Sequence, residues 1–114
     1  SALCIDHPVT IEAEVAGSVV LDAKGARRVI YVAFAGRAEL VGLNITGGSA
    51  TVGGGVYVYS NGVANFEACN IHDNEATRGG GVRVDSNGVA NFESCNIHNN
   101  TAVEGGGLYI RGTA

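Results

Sequence analysis

No apolar run in the 114 residues approaches the ~18 that a helix needs to cross a bilayer, so the sequence holds no candidate membrane span. Positive charge is scarce as well. Seven Lys and Arg stand against eleven Asp and Glu, for a net charge of −4. The basic residues fall at scattered, non-equivalent positions, which argues against a nucleic-acid partner. A single proline accompanies 18 glycines. With no Gly-X-Y period these glycines do not build collagen, and they suit many tight turns instead. Three cysteines leave the redox compartment open. The sequence opens at Ser1 and breaks off mid-coil at Ala114, so the lack of a visible secretory leader says nothing about export.

What the sequence does have is a repeat. Residues 53–78 read GGGVYVYSNGVANFEACNIHDNEATR and residues 79–104 read GGGVRVDSNGVANFESCNIHNNTAVE. A third copy opens at Gly105 with GGGLYIRGTA, so the triple glycine returns every 26 residues. A fixed period of about 20–50 residues marks a stacked solenoid. Aligned on that period, Ile30, Val56, Val82 and Leu108 share a position, as do Val32, Val58, Val84 and Ile110. Leu40, Phe66 and Phe92 form another apolar column, Leu43, Cys69 and Cys95 a fourth, and Ile45, Ile71 and Ile97 a fifth. Ala38, Ala64 and Ala90, and Ala50, Ala76 and Ala102, supply small residues. Columns that stay apolar from copy to copy predict one continuous core running through stacked coils.

Between these columns lie polar or variable residues, and the alternation is that of half-buried strands. Three short strands per coil are expected, at 56–59, 64–67 and 69–72 and their equivalents. Ser-Asn-Gly and the triple glycines supply the positive φ that sharp corners require. Upstream, residues 9–13 match 38–42 with Ile11 above Leu40, residues 19–21 match 43–45, and 16–18 read as an outward loop. The expected organisation is one domain: an N-terminal cap and irregular first coil at 1–28, coils at 29–54, 55–80 and 81–106, and a partial coil at 107–114.

Cys69 and Cys95 occupy one core column in successive coils, about 4.8 Å apart. Free thiols filling a small apolar slot are expected, with a disulfide between stacked neighbours as the alternative. Cys4 has no obvious partner. Asn74 and Asn100 repeat at a corner, where stacked amides can bond up and down the pile as a ladder.

Triple glycine followed by an apolar residue, inward alternation, and an apolar-x-x-Asn turn resemble the right-handed parallel β-helix, or pectin-lyase-like, superfamily. More narrowly, Gly79-Gly80-Gly81-Val82 and Ile97-His98-Asn99-Asn100 resemble the repeats of chlamydial polymorphic membrane proteins, with Gly for Ala and Ile for Phe. The resemblance covers about residues 9–114. It implies an all-β, right-handed parallel β-helix of three to four coils. For the narrower match it implies cell-surface adhesion, and for the wider superfamily polysaccharide cleavage or epimerisation.

Candidate functional residues lie on one outward strand face: Tyr31, Tyr57, Tyr59, Arg83, Asp85, Tyr109 and Arg111. Aligned aromatic rings can stack on sugars and carry polar tips, although aromatics also favour sheet surfaces for packing alone. Asp85 between arginines could abstract a proton beside a uronate carboxyl, but one carboxylate is half of what a glycosidase needs. The simplest reading of Arg83 and Asp85 is a solvated face. His72 and His98 share a column and could chelate a metal, yet they lie next to a corner and duplication of a turn residue explains the pair without one. Glu67 and Glu93 could share a proton or calcium, and are expected to be an exposed, water-screened pair. Asn44-Ile45-Thr46 and Asn99-Asn100-Thr101 are glycosylation triplets that permit a secretory route.

The expected function is therefore a non-catalytic repeat module of a secreted or cell-surface protein, structural or adhesive, with a glycan or other surface ligand as partner. No cofactor and no metal are expected. A fragment of a polysaccharide lyase or epimerase is the alternative. Because the last copy stops after one strand, the coil carrying Phe92, Cys95 and Ile97 has an open edge, which predicts a homodimer or higher self-association there.

Overall fold

The computed structural model describes residues 3–13, 19–25, 27–34, 36–85 and 87–110. Among them there is no helix, and hence none long and apolar enough to cross a membrane. The chain climbs through about four turns of a parallel β-solenoid.

Four sheets wall the solenoid. The first stacks Leu3–Ile5, Ile30–Val32, Val56–Val58, Val82–Val84 and Leu108–Ile110. The second stacks Pro8–Glu12, Arg37–Val41, Val63–Glu67 and Val89–Glu93. The third holds Val19–Asp22, Leu43–Thr46, Asn70–His72 and Asn96–His98, and the fourth Ser49–Val52, Glu75–Arg78 and Thr101–Glu104. The fourth sheet goes beyond the three strands expected. All pairings are parallel and follow the period, for instance Phe66 beside Phe92, Ile71 beside Ile97 and Val58 beside Val84.

Where their side chains are described, the large apolar columns point inward. Ile30, Val32, Leu40, Leu43, Ile45, Val56, Val58, Ile71, Val82 and Val84 are fully enclosed. Strand Leu3–Ile5 continues the first sheet upward, which sets Ile5 in the core and Cys4 outside beside Tyr31. Ile11 pairs with Leu40 and Leu21 with Ile45, so the upstream register holds; the expected loop at 16–18 lies outside the described residues. None of the three cysteines forms a disulfide. Cys69 is buried and donates to the Leu40 carbonyl at 3.3 Å, and burial pushes its thiol pKa up.

The corners of the regular coils turn on left-handed residues. Gly42, Ala68 and Ser94 (φ 71, 52 and 54) are equivalent, and so are Gly47, Asp73 and Asn99 (φ 71, 55 and 54). The corner before the first sheet belongs to the triple glycines, and the corner asparagine explains why. Asn74 is buried and its amide lies inside the wall. Its Oδ1 accepts from the Gly48 N–H at 2.8 Å, and its Nδ2 donates to the carbonyls of Ile45 and His72 and to Oδ1 of Asn100. A Cβ on Gly55 would lie 2.9 Å from Asn74 Nδ2, and one on Gly81 would lie 2.9 Å from Asn100 Nδ2. The amide ladder, together with the carbonyl of the glycine one coil on (2.6 Å for Gly55, 2.5 Å for Gly81), occupies the space that side chains at the third glycine would need.

Two stability outcomes follow. Phe66 and Phe92 stack at 4.9 Å with 7° between ring planes, but Phe66 is 2% exposed and Phe92 only part-buried. In urea melts Phe66→Ala should lose about 3–5 kcal/mol and Phe92→Ala distinctly less. Asn74→Ala should lose about 1–3 kcal/mol by stranding the buried Gly48 N–H; an unchanged midpoint would mean that the ladder does not hold the corner.

Candidate functional site

Tyr31, Tyr57, Tyr59, Arg83 and Asp85 converge on the outer face of the first sheet. In its three middle strands inward valine or isoleucine alternates with one outward residue, and Cys4, Tyr31, Tyr57, Arg83 and Tyr109 pair in register down the solenoid. Tyr59 and Asp85 follow their strands on the same side. Tyr109 enters here only through its backbone pairing, and Arg111 lies outside the described residues.

The tyrosines form a ladder. Tyr31 and Tyr57 stack at 5.5 Å with 25° between planes, and Tyr59 tilts against Tyr57 at 5.3 Å. The Arg28 guanidinium covers both stacked rings, 5.3 Å from the Tyr31 centroid and 4.9 Å from that of Tyr57. Such placement is an attractive cation–π geometry. Arg28 Nε also donates to the Gly53 carbonyl at 3.1 Å, and burial lowers the pKa of the guanidinium. Phe34, at the corner leaving the strand, sets its ring edge-on to Tyr31 at 6.5 Å and 78°.

Arg83 corrects one expectation. It faces outward but is only 4% exposed and so belongs to no solvated face. Its Cβ packs into the corner, where a Cβ on Gly79 would lie 2.9 Å away, and its Nη2 donates to Asp85 Oδ2 at 2.8 Å. Asp85 is thus held by its neighbour two residues back.

Arg28 and Phe34 were not among the residues singled out from the sequence. The signal was a break in the repeat. Arg27, Arg28 and Val29 stand where the next coil has Gly53, Gly54 and Gly55, and Phe34 stands where it has Ser60.

The other clusters separate from this face. His72 and His98 stack at 5.1 Å on the third sheet, with His72 Nδ1 bonded to Asp73 and His98 Nδ1 to Asn99. Glu67 and Glu93 pair on the second sheet and are exposed. Among the described residues no three His, Cys, Asp or Glu gather as a metal site.

A parallel four-walled solenoid with apolar columns and glycine–asparagine corners defines a β-helix. The family of right-handed β-helix regions matches residues 28–114, most of the chain, and the chain belongs to that family. No curated protein and no solved structure matches it.

The tyrosine ladder has a pH signature. Burial raises the pKa of Tyr57 above its ordinary 10.0, with the Asp85 charge adding to the rise and Arg83 opposing it. Burial likewise raises Tyr31, against the pull of Arg28. The folded chain then holds these phenolic protons when the unfolded chain has released them. Their contribution is complete below about pH 10 and is lost as pH rises through the folded values. Stability should fall above about pH 10, and Tyr57→Phe should flatten that fall. Chemical denaturation across the alkaline range checks it.

Proposed function

We propose that the chain is a non-catalytic β-helix repeat module of a secreted or cell-surface protein, structural or adhesive, whose first sheet presents a glycan-binding face. The observation that carries this reading is the aromatic surface of Tyr31, Phe34, Tyr57 and Tyr59, ordered by Arg28 on a rigid parallel sheet. Rigid aromatics with polar tips suit sugars, which offer an apolar ring face and a rim of hydroxyls. Preorganisation by stacking lowers the ordering cost of binding. The regularity of the coils supports a scaffold role, since a repeat is selected first for stacking.

The competing reading, a fragment of a carbohydrate-active enzyme, rests on fold, and fold does not set function. It would use Asp85 as the base. That carboxylate already accepts from Arg83 at 2.8 Å, an arrangement suited to holding the two side chains in place.

Tyrosine fluorescence is a direct readout, because the chain has no tryptophan. Titration with a panel of neutral and acidic oligosaccharides should reveal binding, and Tyr57→Ala should weaken it about tenfold, roughly 1.4 kcal/mol, by loosening the stack that holds Tyr31 and Phe34 in place. Incubation with uronate polysaccharides should generate no unsaturated product. Turnover that Asp85→Asn abolishes would instead establish the enzyme.

A further inference from the structure

We infer that Phe34 is the anchor of this face and that its ligand is a neutral sugar ring seated between Phe34 and the Asp6 carboxylate; this rests on the glycan-binding reading above.

The tyrosine rings are not themselves free platforms. Tyr31 and Tyr57 turn their faces to each other, and Arg28 lies over both. What they offer outward is edges and hydroxyls. Phe34 differs. It is 66% exposed and meets Tyr31 edge-on, which leaves a ring face for a ligand. The fold gives no reason for a phenylalanine there. The same corner in the next coil is Ser60, with nearly the same backbone (φ 51 against φ 54). A bulky residue is disfavoured in the left-handed region, and a large apolar one is disfavoured in water. Strain and exposure at one residue that the repeat would fill with serine point to a contact made with something else.

Next to Phe34 is a recess of about 90 Å³ lined by Cys4, Ile5, Asp6, Tyr31, Ala33 and Phe34. Its walls are mainly apolar, and Asp6 is the one carboxylate residue among those that line it. Asp6 accepts from His7 at 2.8 Å, which holds its carboxyl below the usual carboxylate range and so ionised. An ionised carboxylate only accepts hydrogen bonds, and its two oxygens suit a pair of sugar hydroxyls. The same charge repels a uronate or sulfate group. Among the described residues Arg28 is spread over the tyrosines and Arg83 is engaged with Asp85, and His7 meets one Asp6 oxygen, Oδ1. An apolar ring face on Phe34, hydroxyls on Asp6 and no anionic group describe a neutral hexose.

The experiment compares neutral hexose oligomers, such as cellohexaose, maltohexaose and mannohexaose, with oligogalacturonate on the wild-type chain and on Phe34→Ser, Phe34→Tyr and Asp6→Asn. Phe34→Ser places the next coil's own corner residue in the turn, so its melting temperature should hold or rise. At least one neutral oligomer should bind. Phe34→Ser should weaken it tenfold or more, Phe34→Tyr should retain it, and bound sugar should slow alkylation of the exposed Cys4 thiol. Binding of oligogalacturonate should be absent from the wild type and should emerge or strengthen in Asp6→Asn. Neutral binding that Phe34→Ser leaves intact, or binding of the acidic oligomer alone, would overturn this assignment while the glycan-binding reading stood. No binding of any oligosaccharide would overturn both.

Discussion

The buried amide of Asn74 fixes where each coil ends and the next begins. It bonds upward to the Gly48 N–H, downward to Asn100, and inward to the carbonyls of Ile45 and His72. Buried backbone groups at a corner have no ladder partner of their own, so the amide is the means by which a sharp turn stays satisfied without water. Once it sits inside the wall, the facing positions must lack side chains, and Gly55 and Gly81 comply. The corner in turn sets the phase of the first sheet, and with it which residues face out. The tyrosine ladder and Arg28 occupy positions that this corner defines.

The outer residues are free to vary because the inner ones carry the fold. Val82 and Val84 are as enclosed as Val56 and Val58, although Tyr57 has become Arg83 and Tyr59 has become Asp85 between them. The exchange retains a closed surface by a different route. Ring stacking gives way to an ion pair, and a nearly enclosed arginine stands where a tyrosine would.

The sequence made the core legible because in-register stacking turns the period directly into contact. Each apolar column proved to be a line of paired strands, down to Ile11 beside Leu40 in a coil with little identity to the rest. The fourth sheet was harder to read. Glu75–Arg78 buries only Ala76, and one small residue gives no alternation to see. The candidate face was legible as a column of tyrosines. Its organisation was not: the enclosure of Arg83 arises from neighbours above and beside it, and Arg28 and Phe34 reveal themselves only as departures from the repeat.

Parallel register with a whole-number period has a further consequence: every side chain meets its own copy. That is favourable for valine on valine or asparagine on asparagine, as in the bond from Asn70 to Asn44. For an ionised group it is self-opposition, since like charges directly across strands repel. The two full copies differ in a way that relieves it. Asp73 is followed by Asn99, Glu75 by Thr101, and Arg78 by Glu104, the last converting repulsion into a pair at 3.7 Å. Glu67 over Glu93 is the stack left unrelieved, out in water where the penalty is least. Much of the divergence between coils thus resembles frustration being removed after duplication, with chemistry free to settle wherever a copy was compelled to change.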